Sequence, residues 1–114
     1  MIIKKINISD KEITYLIGKN AQDNFDIIDQ SNENDIWFHA ENISSCHVIL
    51  KINENYDKKI LNSIIKRGAI LCKENTLKLK NIRKVVILYT KISNIKKTDI
   101  IGCVSINNYK KIII

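Results

Sequence analysis

The sequence has no proline, only three glycines (Gly18, Gly68 and Gly102), and no proline- or glycine-rich stretch at which to divide the chain. It therefore offers no linker, no internal repeat and no long low-complexity segment. Its 114 residues fall well short of the roughly 200 that two independent cores need, so a single domain over residues 1–114 is expected. No apolar run approaches the ~18 residues of a membrane span. The start, Met1-Ile2-Ile3-Lys4-Lys5, is too short for the hydrophobic region of a signal peptide. The expectation is a cytoplasmic protein with no membrane partner. The three cysteines, Cys46, Cys72 and Cys103, are odd in number, widely spaced and without a CxxC pair. That argues against a disulfide framework and against a zinc site, and leaves buried free thiols in a reducing compartment as the expectation.

What is abundant is positive charge. Nineteen Lys and Arg stand against twelve Asp and Glu, a formal net charge of +7, which favours an anionic partner and nucleic acid first. Only two of the nineteen are arginine. Contact dominated by phosphate, with little reading of base sequence, follows from lysines without arginine forks. Isoleucine, lysine and asparagine together supply 57 residues, so part of the lysine content reflects composition, and the placement of charge carries more weight than its sum.

Hydrophobic periodicity predicts strands at Ile2–Ile8, 12–17, Ile36–Ala40, 46–52 and 84–90, the last with a continuous apolar centre that makes it interior. A short helix is expected at 20–29, with Ala21, Phe25 and Ile28 on its apolar side, and one long helix at Lys58–Glu74. The long helix carries a stripe of Leu61, Ile64, Ile65, Gly68, Leu71 and Cys72, with Asp57 as N-cap. Gly68 within that stripe implies close approach of another backbone. Residues 101–106 and 109–114 are expected to pair as a hairpin around Asn107-Asn108. The sum is an α+β fold: a mainly antiparallel sheet with one long and one short helix packed on it.

Two segments alternate strictly, Asp35-Ile36-Trp37-Phe38-His39-Ala40 and Cys46-His47-Val48-Ile49-Leu50-Lys51. Paired as a hairpin, they set Ala40 against Cys46, His39 against His47, Trp37 against Ile49 and Asp35 against Lys51. One face is then wholly apolar (Ile36, Phe38, Ala40, Cys46, Val48, Leu50). The other holds both histidines and the only tryptophan. A slip of one residue would put polar groups in the core, which defends this register. Opposed residues have Cβ atoms about 4.5–5.5 Å apart, so the two imidazoles are neighbours. Such a pair can bind a metal, exchange protons, contact an anion or simply satisfy one another in a polar pocket. Asp35 is the one further metal ligand nearby, and Ser44 and Ser45 are the nearest hydroxyls, without the arrangement of a catalytic nucleophile. Neither a metal site, nor a cofactor, nor an enzyme is expected. Trp37 is either a packing residue or a platform for stacking a base. Imidazoles gaining charge near pH 6–7 would strengthen a phosphate contact.

At these residues the sequence resembles the NFACT-R family of RNA-binding domains found in ribosome-associated quality-control factors, and within it the standalone eukaryotic group in which the domain precedes a charged coiled coil. The resemblance rests on Tyr15-Leu16-Ile17-Gly18-Lys19-Asn20 with Asn24, on Asp35-Ile36-Trp37-Phe38-His39-Ala40, and on Ser44-Ser45-Cys46-His47-Val48. It continues through Gly68-Ala69-Ile70-Leu71-Cys72-Lys73-Glu74-Asn75, Val86-Ile87-Leu88-Tyr89-Thr90, Ser93-Asn94-Ile95-Lys96-Lys97 and Gly102-Cys103-Val104. It implies a non-enzymatic module that binds RNA, tRNA or ribosomal RNA of the large ribosomal subunit, with DNA as an alternative. The matching positions imply contacts from Lys19, Asn20, His39, His47, Lys73, Lys96 and Lys97, to which Trp37 adds a candidate stacking surface. Ser44 stands where many members have glycine, and no coiled coil lies within these residues. The activities of the multidomain factors are therefore not carried over. A protein–protein module, docking or dimerising through the Ile112–Ile114 edge, is the rival from a different class.

Overall fold

The computed structural model describes residues 1–114. Strands β1 (Ile2–Ile8) and β2 (Lys11–Ile17) form a hairpin through Ser9 and Asp10, both at positive φ (53° and 62°), the turn geometry whose twist suits the flanking strands. Then follow α1 (Ala21–Asp29), β3 (Ile36–Ala40), β4 (Val48–Leu50), α2 (Lys58–Glu74), β5 (Val86–Lys91), β6 (Ile95–Lys97), β7 (Val104–Ile106) and β8 (Lys110–Ile113). Six strands make one sheet in the order β1-β2-β4-β3-β5-β8, every pair antiparallel, and β6 and β7 form a second, two-stranded sheet. The fold is α+β, with the expected pair of helices.

The central hairpin has the register read from the alternation: Ile36 faces Leu50, Trp37 faces Ile49 and Phe38 faces Val48. Its second strand is shorter than expected. Cys46 and His47 precede β4 because their main-chain groups bond elsewhere: the Cys46 N–H donates to Thr76 Oγ1 (3.1 Å), and the His47 carbonyl accepts from Gly18 N–H (3.0 Å). β5 lies between β3 and β8 and is interior, as its apolar run implied.

The predicted C-terminal hairpin does not form. β7 pairs with β6, and β8 pairs with β5 at the edge of the main sheet. Hydrogen bonds at both ends explain the separation. The Asn107 N–H donates to the Asn94 carbonyl (2.9 Å), tying the end of β7 to the start of β6, while Val85 and Ile114 exchange two main-chain hydrogen bonds of 2.9 Å that draw the C-terminal strand onto β5. Exposed Lys110 and Lys111 on this edge strand, and Lys4 and Lys5 on the opposite edge, disfavour pairing with a further strand.

Two cores lie on the two faces of the sheet. The larger, between the sheet and α2, joins sixteen buried residues that include Phe38, Val48, Leu50, Ile64, Leu71 and Ile87. Asp57 caps α2 by accepting from the Ile60 N–H (2.9 Å). Gly68 meets a ring rather than the expected backbone: a Cβ there would stand 2.4 Å from Cζ of Phe38. The smaller core is Leu16, Ile27, Trp37 and Ile49, covered by α1 and the β6–β7 arm. The inward face of α1 is formed by the buried Asn24 and Ile27; of the expected apolar side, Ile28 packs against the small core, Phe25 is half-buried and Ala21 is exposed. The polar Asn24 faces inward because its Oδ1 accepts from the His47 N–H (3.3 Å). That atom is also why residue 18 is glycine, since a Cβ at Gly18 would lie 2.2 Å from it.

Candidate nucleic-acid interface

On the α1 face the sheet carries a row of polar side chains. At one end Asp35 is fully buried; its carboxylate accepts from the Asn32 and Ile52 N–H groups (2.8 Å each) and pairs with Lys51 Nζ (2.7 Å). The predicted opposition of Asp35 and Lys51 is thus an ion pair, and Asp35 is too fully engaged to act as a third metal ligand. No group of three or more His, Cys, Asp or Glu side chains converges anywhere in the chain.

Two residues along, the Trp37 ring stacks on His39 (centroids 5.6 Å apart, planes within 2°) and meets His47 edge-on at 5.3 Å. The two imidazoles are neighbours, as the register required, with centroids 5.0 Å apart and planes nearly perpendicular. The indole Nε1–H donates to His47 Nδ1 (3.1 Å), and His39 Nδ1 donates to the Ala40 carbonyl (2.7 Å). Burial pushes His47 down to about 3, aided by the neighbouring charge of His39. Burial also lowers His39, and the Lys78 ammonium adds to this. The expectation that the pair gains charge near pH 6–7 is therefore corrected: desolvation disfavours the imidazolium in both rings, most strongly in His47, and moves their protonation to lower pH.

A cleft of about 940 Å³ opens over this pair. Its walls come from the end of β2 and the start of α1 (Gly18 to Asn24), the segment before β4 (Ser44 to His47), the turn after α2 (Asn75 to Lys78) and the Ile101–Val104 side of the β6–β7 arm. Of the expected contact residues, Lys19, Asn20, Trp37, His39 and His47 line it. Asn20 also caps α1, its Oδ1 accepting from the Asp23 N–H (2.9 Å). Trp37 is buried, so it packs against the histidines and the small core and presents no free ring face to a base.

Three expected residues lie outside the cleft. Lys73 reaches from the end of α2 to the Ile114 main-chain oxygen (3.1 Å). Lys97 pairs with Asp29 and stands over the Phe25 ring at 4.9 Å, fastening the arm to α1. Lys96 is exposed on β6. Lys78, Asn75 and Thr76 are cleft residues that the sequence reading missed. Their signal was weak: they follow the long helix in a stretch with no periodicity, and only the fold brings them beside His39. The cysteines differ among themselves. Cys72 is buried, Cys46 is half-buried against it, and Cys103 is exposed, contrary to expectation, because it sits on the turn of the arm.

Fold and cleft together define a class, an α+β domain with a lysine- and histidine-lined groove over its central strands. The family model described as the NFACT protein RNA binding domain matches residues 4–108, and the chain belongs to that family. It is 31% identical over 93 residues to coiled-coil domain-containing protein 25 of Bos taurus, a match covering 81% of this chain and 45% of that protein. It is 34% identical over 89 residues to the protein of the same name from Danio rerio, covering 75% and 42%. The chain thus spans less than half the length of these curated relatives. The C-terminal part of the fibronectin/fibrinogen-binding protein from Streptococcus suis shares the fold, with a TM-score of 0.81 at 19% identity over all of this chain and 45% of that one. No helix is long and apolar enough to cross a membrane.

Proposed function

We propose that residues 1–114 act as one non-enzymatic domain that binds structured RNA in the cleft, with tRNA or ribosomal RNA of the large subunit as the ligand and ribosome-associated quality control in the cytoplasm as the setting. The observation that carries this reading is the composition of the walls. They hold two lysines, two histidines and several amides and hydroxyls, and no carboxylate, in a chain with twelve acidic residues. Such walls attract an anion and offer it hydrogen bonds. Lys19 and Lys78 supply the charge, since burial disfavours the charged form of both histidines, and exposed Lys96 extends the basic surface along the arm. Membership of a family described by RNA binding supports the choice of ligand.

A salt titration of binding to a tRNA and a ribosomal RNA fragment tests it, run with Lys19→Ala/Lys78→Ala and Lys96→Ala/Lys97→Ala variants. Two phosphates neutralised in the cleft give a slope of log K against log salt of about −1.5. The cleft variant is expected to remove most of that slope, and the arm variant only a part. Affinity that is indifferent to the cleft lysines overturns the reading. The protein-partner alternative has one observation in its favour: Leu77 and Ile101, 89% and 57% exposed, flank the same cleft. A protein captured there would be released by Leu77→Asp and not by salt.

A further inference from the structure

We infer that His39 and His47 form a hydroxyl-reading pair, one ring nitrogen donating to and the other accepting from the 2′-hydroxyl of a ribose held in the cleft; the inference rests on the RNA reading above and deepens it. The hydrogen bonds behind the rings fix which nitrogen carries each proton. An indole nitrogen can only donate, so His47 Nδ1, which faces Trp37 Nε1 at 3.1 Å, is the unprotonated nitrogen, and the proton of the neutral ring is on Nε2. A carbonyl can only accept, so His39 Nδ1, 2.7 Å from the Ala40 oxygen, carries the proton and Nε2 holds the lone pair. The two rings therefore have opposite tautomers. Neither Nε2 has a partner within the chain, and no fully enclosed side-chain nitrogen or oxygen lacks one, so neither Nε2 is sealed from solvent, and both residues line the cleft.

The result is one donor and one acceptor on rings 5.0 Å apart at the floor of the groove. A phosphate oxygen accepts only and leaves the His39 lone pair unanswered. A deoxyribose carbon offers neither group. A hydroxyl does both at once, and the 2′-hydroxyl is the group that distinguishes RNA from DNA. Burial favours the neutral form of both rings, which preserves the pair. Base edges also present donors beside acceptors, but they are the same in RNA and DNA, so sugar variants separate the two.

The test uses one hairpin sequence prepared as RNA, as DNA and as 2′-O-methyl RNA, with wild type, His39→Ala and His39→Gln. Wild type is expected to prefer RNA over both other forms by about tenfold. His39→Ala brings the ratio near one by weakening RNA more than DNA, and His39→Gln, whose amide oxygen reaches the Nε2 position, restores part of it. Two-bond nitrogen–proton NMR spectra of the free protein should show His47 protonated on Nε2 and His39 on Nδ1. Equal affinity of wild type for RNA and DNA, a ratio unchanged in His39→Ala, or the reverse tautomers overturns the inference and leaves the RNA-binding reading standing. Failure of all three hairpins to bind overturns that reading, and the inference with it.

Discussion

The two faces of the central hairpin are built from the same ten or so residues, and they behave as different materials. Toward α2, Ile36, Phe38, Val48 and Leu50 join a sixteen-residue core whose cohesion is shape and dispersion, tight enough that Gly68 has no room for a methyl group against the Phe38 ring. Toward α1, Trp37 and Ile49 belong to a core of four, and the rest of the face is Asp35, His39 and His47, held by hydrogen bonds to the Asn32 and Ile52 N–H groups, the Ala40 carbonyl and the Trp37 indole. The first face stabilises the fold and needs no particular chemistry. The second contributes less apolar burial, and in exchange it fixes polar groups in defined tautomers beneath an open groove. Strand alternation is what allows one hairpin to do both.

The contrast is broken most severely from the apolar side. Phe38→Ala is expected to cost about 3–5 kcal/mol, because the ring is fully buried and both Gly68 and Tyr89 pack on it. Chemical denaturation measures the loss, and binding per folded molecule should be unchanged. On the polar side, Asp35→Ala is expected to cost about 3 kcal/mol by leaving two main-chain N–H groups and the Lys51 ammonium without their acceptor. A cost below about 1 kcal/mol would mean that the row is decoration and that the small core alone holds this face.

Acid sharpens the same contrast, because only one face titrates. His47 is lowered to about 3 in the folded chain, against about 6.5 when unfolded. Its contribution is complete above pH 6.5 and declines as pH falls toward the folded value, since the unfolded chain binds the proton that the native ring refuses. The slope approaches 1.4 kcal/mol per pH unit, so stability should drop by about 2 kcal/mol between pH 7.5 and 5, a window in which ordinary carboxylates stay ionised. The lowered His39 acts in the same direction, and Lys78 opposes its protonation further. Denaturation midpoints across that range measure the slope, and His47→Gln should flatten it.

The same division explains how much of the molecule was readable in its sequence. The register of the central hairpin, the long helix with its Asp57 cap, and the adjacency of His39 and His47 followed from alternation and period, because burial on one face forbids a slip. Pairings between distant segments were not legible. Local pattern made 101–106 and 109–114 a hairpin, but the hydrogen bonds of Asn107 and Ile114 send the two strands to different sheets. That error also hid the arm that covers Trp37, so the sequence left open whether the tryptophan packs or stacks on a base, and the buried ring decides for packing. Lysines were the least legible: Lys97 and Lys78 look alike in sequence, and only the fold gives one a carboxylate partner and the other a place on the cleft wall.

The finest break is a single hydrogen bond. Trp37→Phe keeps an aromatic ring in the small core and removes only the donor that faces His47 Nδ1 at 3.1 Å. The expected loss is about 1 kcal/mol, a shift of about 4 °C in thermal midpoint for a chain of this size. The more telling effect is on the neighbour. Without the indole N–H, nothing obliges His47 to place its proton on Nε2, and the ring should populate both tautomers in NMR spectra. Were the α1 face held by packing alone, like the face opposite, removing the donor would leave the tautomer as it was. If instead the hydrogen bonds set the chemistry of the groove, a substitution that barely moves stability should blur the donor–acceptor pair and lower RNA affinity more than the lost stability accounts for.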